Sequence, residues 1–331
     1  MASEPTRNLA LELVRVTEAA ALSAGRFMGR GKKNAADHAA VEAMRLVLNT
    51  ISMNAVIVIG EGVKDKAPML YNGEHVGTGD GPEMDIAVDP IDGTRPLSNG
   101  SWNAIATVAI APRGSLYDPG PFLYMDKIAV GPSCKGAIDI DAPVEQNLRG
   151  IAKATGKGVQ DLAIVILDRP RHDKLIAEIR RIGARIRLIP DGDVAGALMT
   201  SWPDSGIDAL MGIGGTPEGV LAACALRAMG GEIQGKLHAR NEDEIRRGLE
   251  MGYDFTKILT MDDLVSSEDV FFAATGITDG EFLDGVKYFG NGARTDSVVV
   301  RGQTGTVRRI LATHRLDKLS KFGAIQYQGK A

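Results

Sequence analysis

From Ala163 onward short apolar runs alternate with helix-length segments, and no other feature of the sequence restricts the fold as strongly. Ala163 to Leu167 reads as a buried strand, Asp173 to Ile182 as a helix, and Arg185 to Ile189 as a second strand. A helix then follows Asp193, a strand is predicted over Asp208 to Met211, and another helix follows Pro217. Strands separated by helices of this length need crossover connections, which predicts a sheet covered on both faces. Upstream, Leu9, Leu13, Val16 and Ala20 recur at helical spacing, predicting a helix that ends near Gly29 to Gly31. A second helix is predicted from Asn34, with the stripe Ala40, Met44, Val47 and a stop near Asn49. Strands are predicted over Val56–Ile59, Ile86–Val88 and Ala104–Ile110, after which Pro and Gly punctuate the stretch from Ala111 to Gly136. The expectation is an α/β protein of two lobes, residues 1–145 and 146–331, dividing near Ile140 to Gly158. The sequence shows no internal repeat, low-complexity tract or heptad array.

Composition narrows the function classes. A formal net charge of −4 over 331 residues provides no field for neutralising a run of phosphates, so nucleic acid is not expected as a partner. No apolar run approaches the ~20 residues that span a bilayer. Cys134 and Cys224 lie far apart and the opening MASEPTRN lacks an apolar core, so a reduced, cytoplasmic setting is expected.

The chemistry is most legible at Asp89-Pro90-Ile91-Asp92-Gly93-Thr94. An apolar strand delivers Asp89, Pro90 restricts the backbone, and Asp92 follows close enough to face the same point. Gly93 permits close backbone approach to a ligand, and Thr94 adds a hydroxyl beside outward-facing amides. Two hard oxygen ligands beside an anion-binding turn suit a cation and a phosphate. Glu61, between two glycines at the end of an apolar strand, stands where open α/β sheets place ligands, although a plain loop acid reads the same way. Asp37 fits either a ligand or a helix-start capping residue. Glu218 opens a helix after a glycine-rich strand end and fits a ligand or a cap. Taken together, acids at strand ends and helix starts point to shared cations, because adjacent carboxylates repel. The glycines near Gly212 do not make a dinucleotide fingerprint, since Pro217 stands where the third glycine belongs.

These residues resemble a known family. Asp89 to Thr94 is similar to the D-P-I-D-G-T signature of lithium-sensitive, magnesium-dependent phosphatases. Gly31 to Asp37, Val58 to Gly62, Ala67 to Tyr71, Tyr124 to Lys127, Arg169 to Asp173, Asp191 to Asp193 and Gly214 to Gly219 together resemble GlpX-type class II fructose-1,6-bisphosphatases. The resemblance runs in order from about Leu9 to Leu316. It implies an αβαβα layered sandwich, Mg²⁺ or Mn²⁺ as cofactor, and hydrolysis of the 1-phosphate of fructose 1,6-bisphosphate in gluconeogenesis. Sedoheptulose 1,7-bisphosphate or an inositol phosphate is the alternative substrate, and a non-catalytic sugar-phosphate sensor the alternative from another class. A homo-oligomer, dimer or tetramer, is expected. Metal ligands by resemblance are Asp37, Glu61, Asp89, Asp92 and Glu218. Substrate contacts by resemblance are Lys33, Asp92, Gly93, Thr94, Tyr124, Arg169, Pro170, Arg171, Asp191, Gly192, Asp193 and Gly215. Asp92 departs from the pattern, being one methylene shorter than the usual glutamate, and Arg240 to Tyr253 is shorter than in familiar members.

On this reading Thr94 orients an attacking water and relays its proton to Asp37 or Glu61. Arg169, Arg171 and Lys33 suit the distal phosphate, and Asp191 and Asp193 suit sugar hydroxyls. His38 and His172 lack partners at metal-ligand spacing and are left outside the expected site.

Overall fold

A computed structural model describes residues 9–62 and 69–322. Its elements are numbered here in chain order. The larger sheet contains β1 (Asn54–Ile59), β2 (His75–Val76), β3 (Glu83–Asp92), β4 (Ile105–Pro112), β10 (Phe271–Gly276), β11 (Lys287–Phe289), β12 (Gly292–Arg301) and β13 (Thr306–Arg315). The smaller contains β5 (Tyr124–Val130), β6 (Ala163–Leu167), β7 (Arg185–Ile189), β8 (Ala209–Gly215) and β9 (Glu232–Leu237), in the order β7-β6-β8-β5-β9. The helices are α1 (Ala10–Ala24), α2 (Lys33–Leu48), α3 (Thr94–Asn99), α4 (Val144–Thr155), α5 (Asp173–Ile182), α6 (Asp193–Met199), α7 (Thr216–Met229), α8 (Glu242–Glu250), α9 (Met261–Leu264) and α10 (Leu316–Phe322).

Side-chain alternation assigns the layers. In β3, Ile86 and Val88 face a core shared with α1 and α2, while Ala87 between them faces the core that contains α7. In β10, Phe271 and Ala273 belong to the first core and Phe272 and Ala274 to the second. The smaller sheet repeats this period of two: Ile164 and Ile166 face α4 and α5, and Val165 and Leu167 face α6 and α7. Helix α7 is apolar on every side, with Val220 to Leu226 all buried, as a helix enclosed between two sheets must be. The order is therefore α1/α2, large sheet, α6/α7, small sheet, α4/α5, which is the expected αβαβα sandwich.

The connections differ in part from the sequence reading. The β6–β7 and β6–β8 pairs are parallel, as the strand-helix alternation implied. The large sheet is mostly antiparallel: among its pairs in the described residues only β1 with β3 runs parallel. Strand β5 was not expected in the Pro- and Gly-punctuated stretch, because Asp126 and Lys127 interrupt its apolar pattern. Each sheet takes strands from both sides of residue 145: β5 joins the smaller, and β10 to β13 return to the larger. Among the described residues no helix is long and apolar enough to cross a membrane.

Candidate active site

A break in the ladder between β3 and β4 builds the centre of the site. Asp89 pairs with Thr107 and Asp92 with Ile105, so Pro90 and Ile91 bulge out of register. A proline inside a strand is tolerated there because its missing N–H leaves no ladder bond unmade. The Asp89 side chain accepts a hydrogen bond from Ile91 N at 3.0 Å, which fixes the bulge locally. Gly93 then turns with φ of +101°, and a Cβ there would meet the Ala104 backbone at 3.2 Å.

Around this bulge lies a cavity of about 230 Å³ lined by Lys33, Asp37, Val41, Glu61, Pro90, Ile91, Gly93, Thr94 and Asp191 as well as Asp89, Asp92, Asp193 and Glu218. Asp37 comes from α2, past the first turn. The capping alternative for it fails, since the N-cap position is Lys32 and carries no side-chain cap bond. Glu61 follows β1 at a tight end: Glu61 N donates to Leu70 O at 2.9 Å, and a Cβ on Gly60 would lie 2.0 Å from that same carbonyl. Glu218 sits in the first turn of α7 and folds back over Gly215, where an added Cβ would fall 1.6 Å from Glu218 Oε2. Gly215 is therefore a space requirement of the acid.

The acids raise one another. Burial first, then Asp92, Glu218 and Glu61, hold Asp89 well above the usual carboxylate range. Burial and the charges of Asp193, Glu218 and Asp191 do the same to Asp92. Burial and Asp193 push Glu218 to about 7, opposed by Lys127. Glu61 still reaches solvent in the cleft, but crowding by protein, with Asp37 nearby, pushes it to about 7. Asp37 is raised by burial, and Lys33 and the Thr94 hydroxyl oppose the rise. Such a surplus of oxygen donors and negative charge suits a hard divalent cation. Among the described residues no three acids, histidines or cysteines close on one point tightly enough to enclose an ion. Carboxylates spread along a wall are what repulsion dictates, and a small cation that retains several waters does not need a closed cage.

The family described as bacterial fructose-1,6-bisphosphatase, glpX-encoded, matches residues 7–314. Fructose-1,6-bisphosphatase 1 class 2 of Escherichia coli (strain K12) is 47% identical over 325 residues, covering 94% of this chain and 96% of that protein. Proteins called fructose-1,6-bisphosphatase class 2 from Escherichia coli O6:H1 (strain CFT073) and Shigella flexneri share that identity and coverage. The chain belongs to the glpX-encoded fructose-1,6-bisphosphatase family.

In this member of the family the remaining sequence candidates stand just beyond the cavity wall. Gly192, with φ of +86°, turns the chain between Asp191 and Asp193 into α6. Arg169 reaches Pro190 O at 2.5 Å and Asp191 Oδ1 at 3.3 Å, tying the rim together. Pro170 opens the short turn that follows Arg169. Arg171 donates through Nε and a terminal nitrogen to Ile213 O, at 3.1 and 2.7 Å, and lies 5.5 Å from the Tyr124 ring centre. Tyr124 pairs with Gly215 across β5 and β8. Asp92 accepts from Ala195 N at 3.4 Å, so one of its oxygens turns to the start of α6. Of the family motifs, Ala67 and Pro68 lie outside the described residues.

Lys127 carries a role that the sequence reading did not assign. It is buried, with Nζ 2.5 Å from Asp193 Oδ2 and donating to Gly215 O at 2.9 Å. A Cβ on Gly214 would lie 2.0 Å from that Asp193 oxygen, so only glycine leaves room for the pair. The available signal was a single lysine inside an otherwise strand-like run, Tyr124 to Val130.

Proposed function

We infer that this chain hydrolyses the 1-phosphate of fructose 1,6-bisphosphate to fructose 6-phosphate and inorganic phosphate, a step of gluconeogenesis in the cytoplasm. The observation that carries the reading is the gathering of Asp37, Glu61, Asp89, Asp92 and Glu218 into one cavity beside the Gly93-Thr94 turn. Family membership supplies the substrate. Mg²⁺ or Mn²⁺ would be held by Asp37, Glu61, Asp89 and Glu218, with Asp92 contributing the oxygen not turned to Ala195 N. When bound, such a cation lowers the pKa of coordinated water and offsets phosphoryl charge.

The protein's own groups do the rest. Thr94 Oγ1 donates to Ile91 O at 3.3 Å and lies against Asp37, a position from which it orients the attacking water. Asp37 or Glu61 accepts the water's proton, and both have affinity for protons above that of an ordinary carboxylate. Amides at Gly93 and Thr94 hold the transferred phosphoryl group. Asp191 and Asp193 accept hydrogen bonds from sugar hydroxyls, and Lys33, Arg169 and Arg171 hold the distal phosphate. The folded chain acts as a homo-oligomer.

Phosphate release from fructose 1,6-bisphosphate, sedoheptulose 1,7-bisphosphate and inositol phosphate, measured with added Mg²⁺ or Mn²⁺, tests the reading. Fructose 1,6-bisphosphate should turn over fastest, and Asp89→Asn should reduce turnover at least ~10³-fold while leaving the thermal melt intact. Full turnover by Asp89→Asn at saturating metal would remove the proposal.

A further inference from the structure

His172 was left outside the site by sequence, yet its surroundings give it a task. The parallel ladder of β6 with β8 holds only at Ile164↔Ala209 and Val165↔Leu210. Beyond Leu210 the strands part, and Gly212 takes φ of +116°. The His172 imidazole, only 2% exposed, fills the gap. Its Nδ1 lies 2.7 Å from Leu167 O, and its Nε2 lies 2.8 Å from Ile213 N. A carbonyl partner requires a proton on Nδ1, and an amide partner requires a lone pair on Nε2. The ring is therefore neutral and in one tautomer. A Cβ on Gly212 would sit 2.9 Å from Nε2, so glycine is what admits the ring.

The amide held by His172 belongs to the residue whose carbonyl holds Arg171. Ile213 N is fixed by the imidazole, and Ile213 O accepts both hydrogen bonds of the Arg171 guanidinium. We propose that His172 is a positioning residue for substrate binding: by bridging the parted strands it fixes the Ile213 backbone through its amide, and the carbonyl of that same residue aims Arg171 at the distal phosphate. The proposal rests on the assignment of Arg171 to that phosphate. Protonation of the ring would set a donor against the Ile213 N–H and release the Ile213 backbone. The charged groups facing the ring are Arg171 on the preceding turn, Lys174 on α5 and Asp126 on β5. Burial, with Arg171, keeps the ring's proton affinity below that of free histidine, so the neutral state holds at neutral pH.

The experiment compares His172→Asn, His172→Gln, Arg171→Ala and the His172→Asn/Arg171→Ala double variant on fructose 1,6-bisphosphate at saturating metal. Asn places its amide near the Nδ1 position and loses the Ile213 bond, whereas Gln reaches toward Nε2 and keeps an acceptor there. Loss of one buried hydrogen bond should raise KM about tenfold in His172→Asn with kcat within about twofold, and His172→Gln should recover most of it. In the Arg171→Ala background His172→Asn should add nothing further. Wild-type KM should also rise on acidification below about pH 6.5 more steeply than that of His172→Gln, which has no imidazole to protonate. If Arg171→Ala itself leaves KM unchanged, the distal-phosphate assignment fails. If Arg171→Ala raises KM but His172→Asn does not, or adds its full effect on top, the positioning role alone fails. A thermal melt separates misfolding from these outcomes, and the pH comparison with His172→Gln still decides the matter should His172→Asn not fold.

Discussion

At the residue scale the site is a set of acids whose ionisation is costly until a cation arrives. Glu61 and Glu218 are both pushed to about 7, chiefly by burial, with Asp37 repelling the first and Asp193 the second. The proposed metal would bind the ionised carboxylates, so protons would compete with it: Glu61 and Glu218 are protonated below about 7 and ionised above. The half-saturating Mg²⁺ or Mn²⁺ concentration, read from activity, should therefore fall by ~10- to 100-fold between about pH 6 and about pH 8. A flat dependence would mean these two acids do not hold the ion. Lys127 poses the converse case, a buried cation among acids. Lys127→Met strips Asp193 of its ion-pair partner in a buried setting, which should cost about 3–5 kcal/mol in a denaturant melt. Lys127→Arg, being bulkier, should not restore full stability, because Gly214 leaves room fitted to one ammonium group. The sequence disclosed the acids because carboxylates set at strand ends and near helix starts, beside a glycine-rich turn, form a local pattern suited to a cation. It hid Lys127 and His172 because their meaning lies in partners on other elements, Asp193 at the start of α6 and Ile213 on β8, that no local spacing reveals.

Elements make those residues meet. Register is the decisive property of β3, where the bulge at Pro90 and Ile91 places both Asp89 and Asp92 on the cavity wall. A short apolar run and the alternation of strands with helices identified β6 and β7 from sequence, whereas β5 escaped notice with Asp126 and Lys127 in its middle. The seam between α1 and the β12–β13 pair shows what burial does away from the site. Glu18 accepts from Thr295 Oγ1 at 3.2 Å and lies 3.7 Å from His314 Nε2, and burial pushes it to about 7. Because its folded value lies above the ordinary value of 4.5, the native state keeps a proton that the unfolded chain has released. This contribution is fully present below about 4.5 and is lost as pH rises through about 7. Glu18→Gln, which needs no proton, should thus be more stable than wild type at about pH 8, by ~1–3 kcal/mol, with the advantage gone near pH 4.5. Urea titrations at the two pH values measure it. An equal difference at both would show that folding does not raise the proton affinity of Glu18.

Across the whole molecule the cavity joins layers that the chain assembles from distant parts. Asp37, Glu61, Asp89 and Asp92 arrive with the large sheet and the helices on its outer face, while Asp191, Asp193 and Glu218 arrive with the small sheet and the central helices. One apolar core runs from Ala87 and Phe272 through α7 to Val165 and Ile233, so neither sheet can lose its central helix without exposing the other. Continuous burial of that kind predicts a single cooperative unfolding transition. A ligand held from both sides should raise its midpoint, since binding to the native state alone stabilises by about 2.7 kcal/mol at a hundredfold excess over Kd. Saturating Mg²⁺ or Mn²⁺ should accordingly raise the melting temperature by ~3–8 °C. Chelation should reverse the shift, and Asp89→Asn should show little of it. Calorimetry distinguishes the alternatives: if two transitions appear and metal moves only one, the ion is held by a single half of the sandwich, and the carboxylates on the two sides of the cavity do not act together.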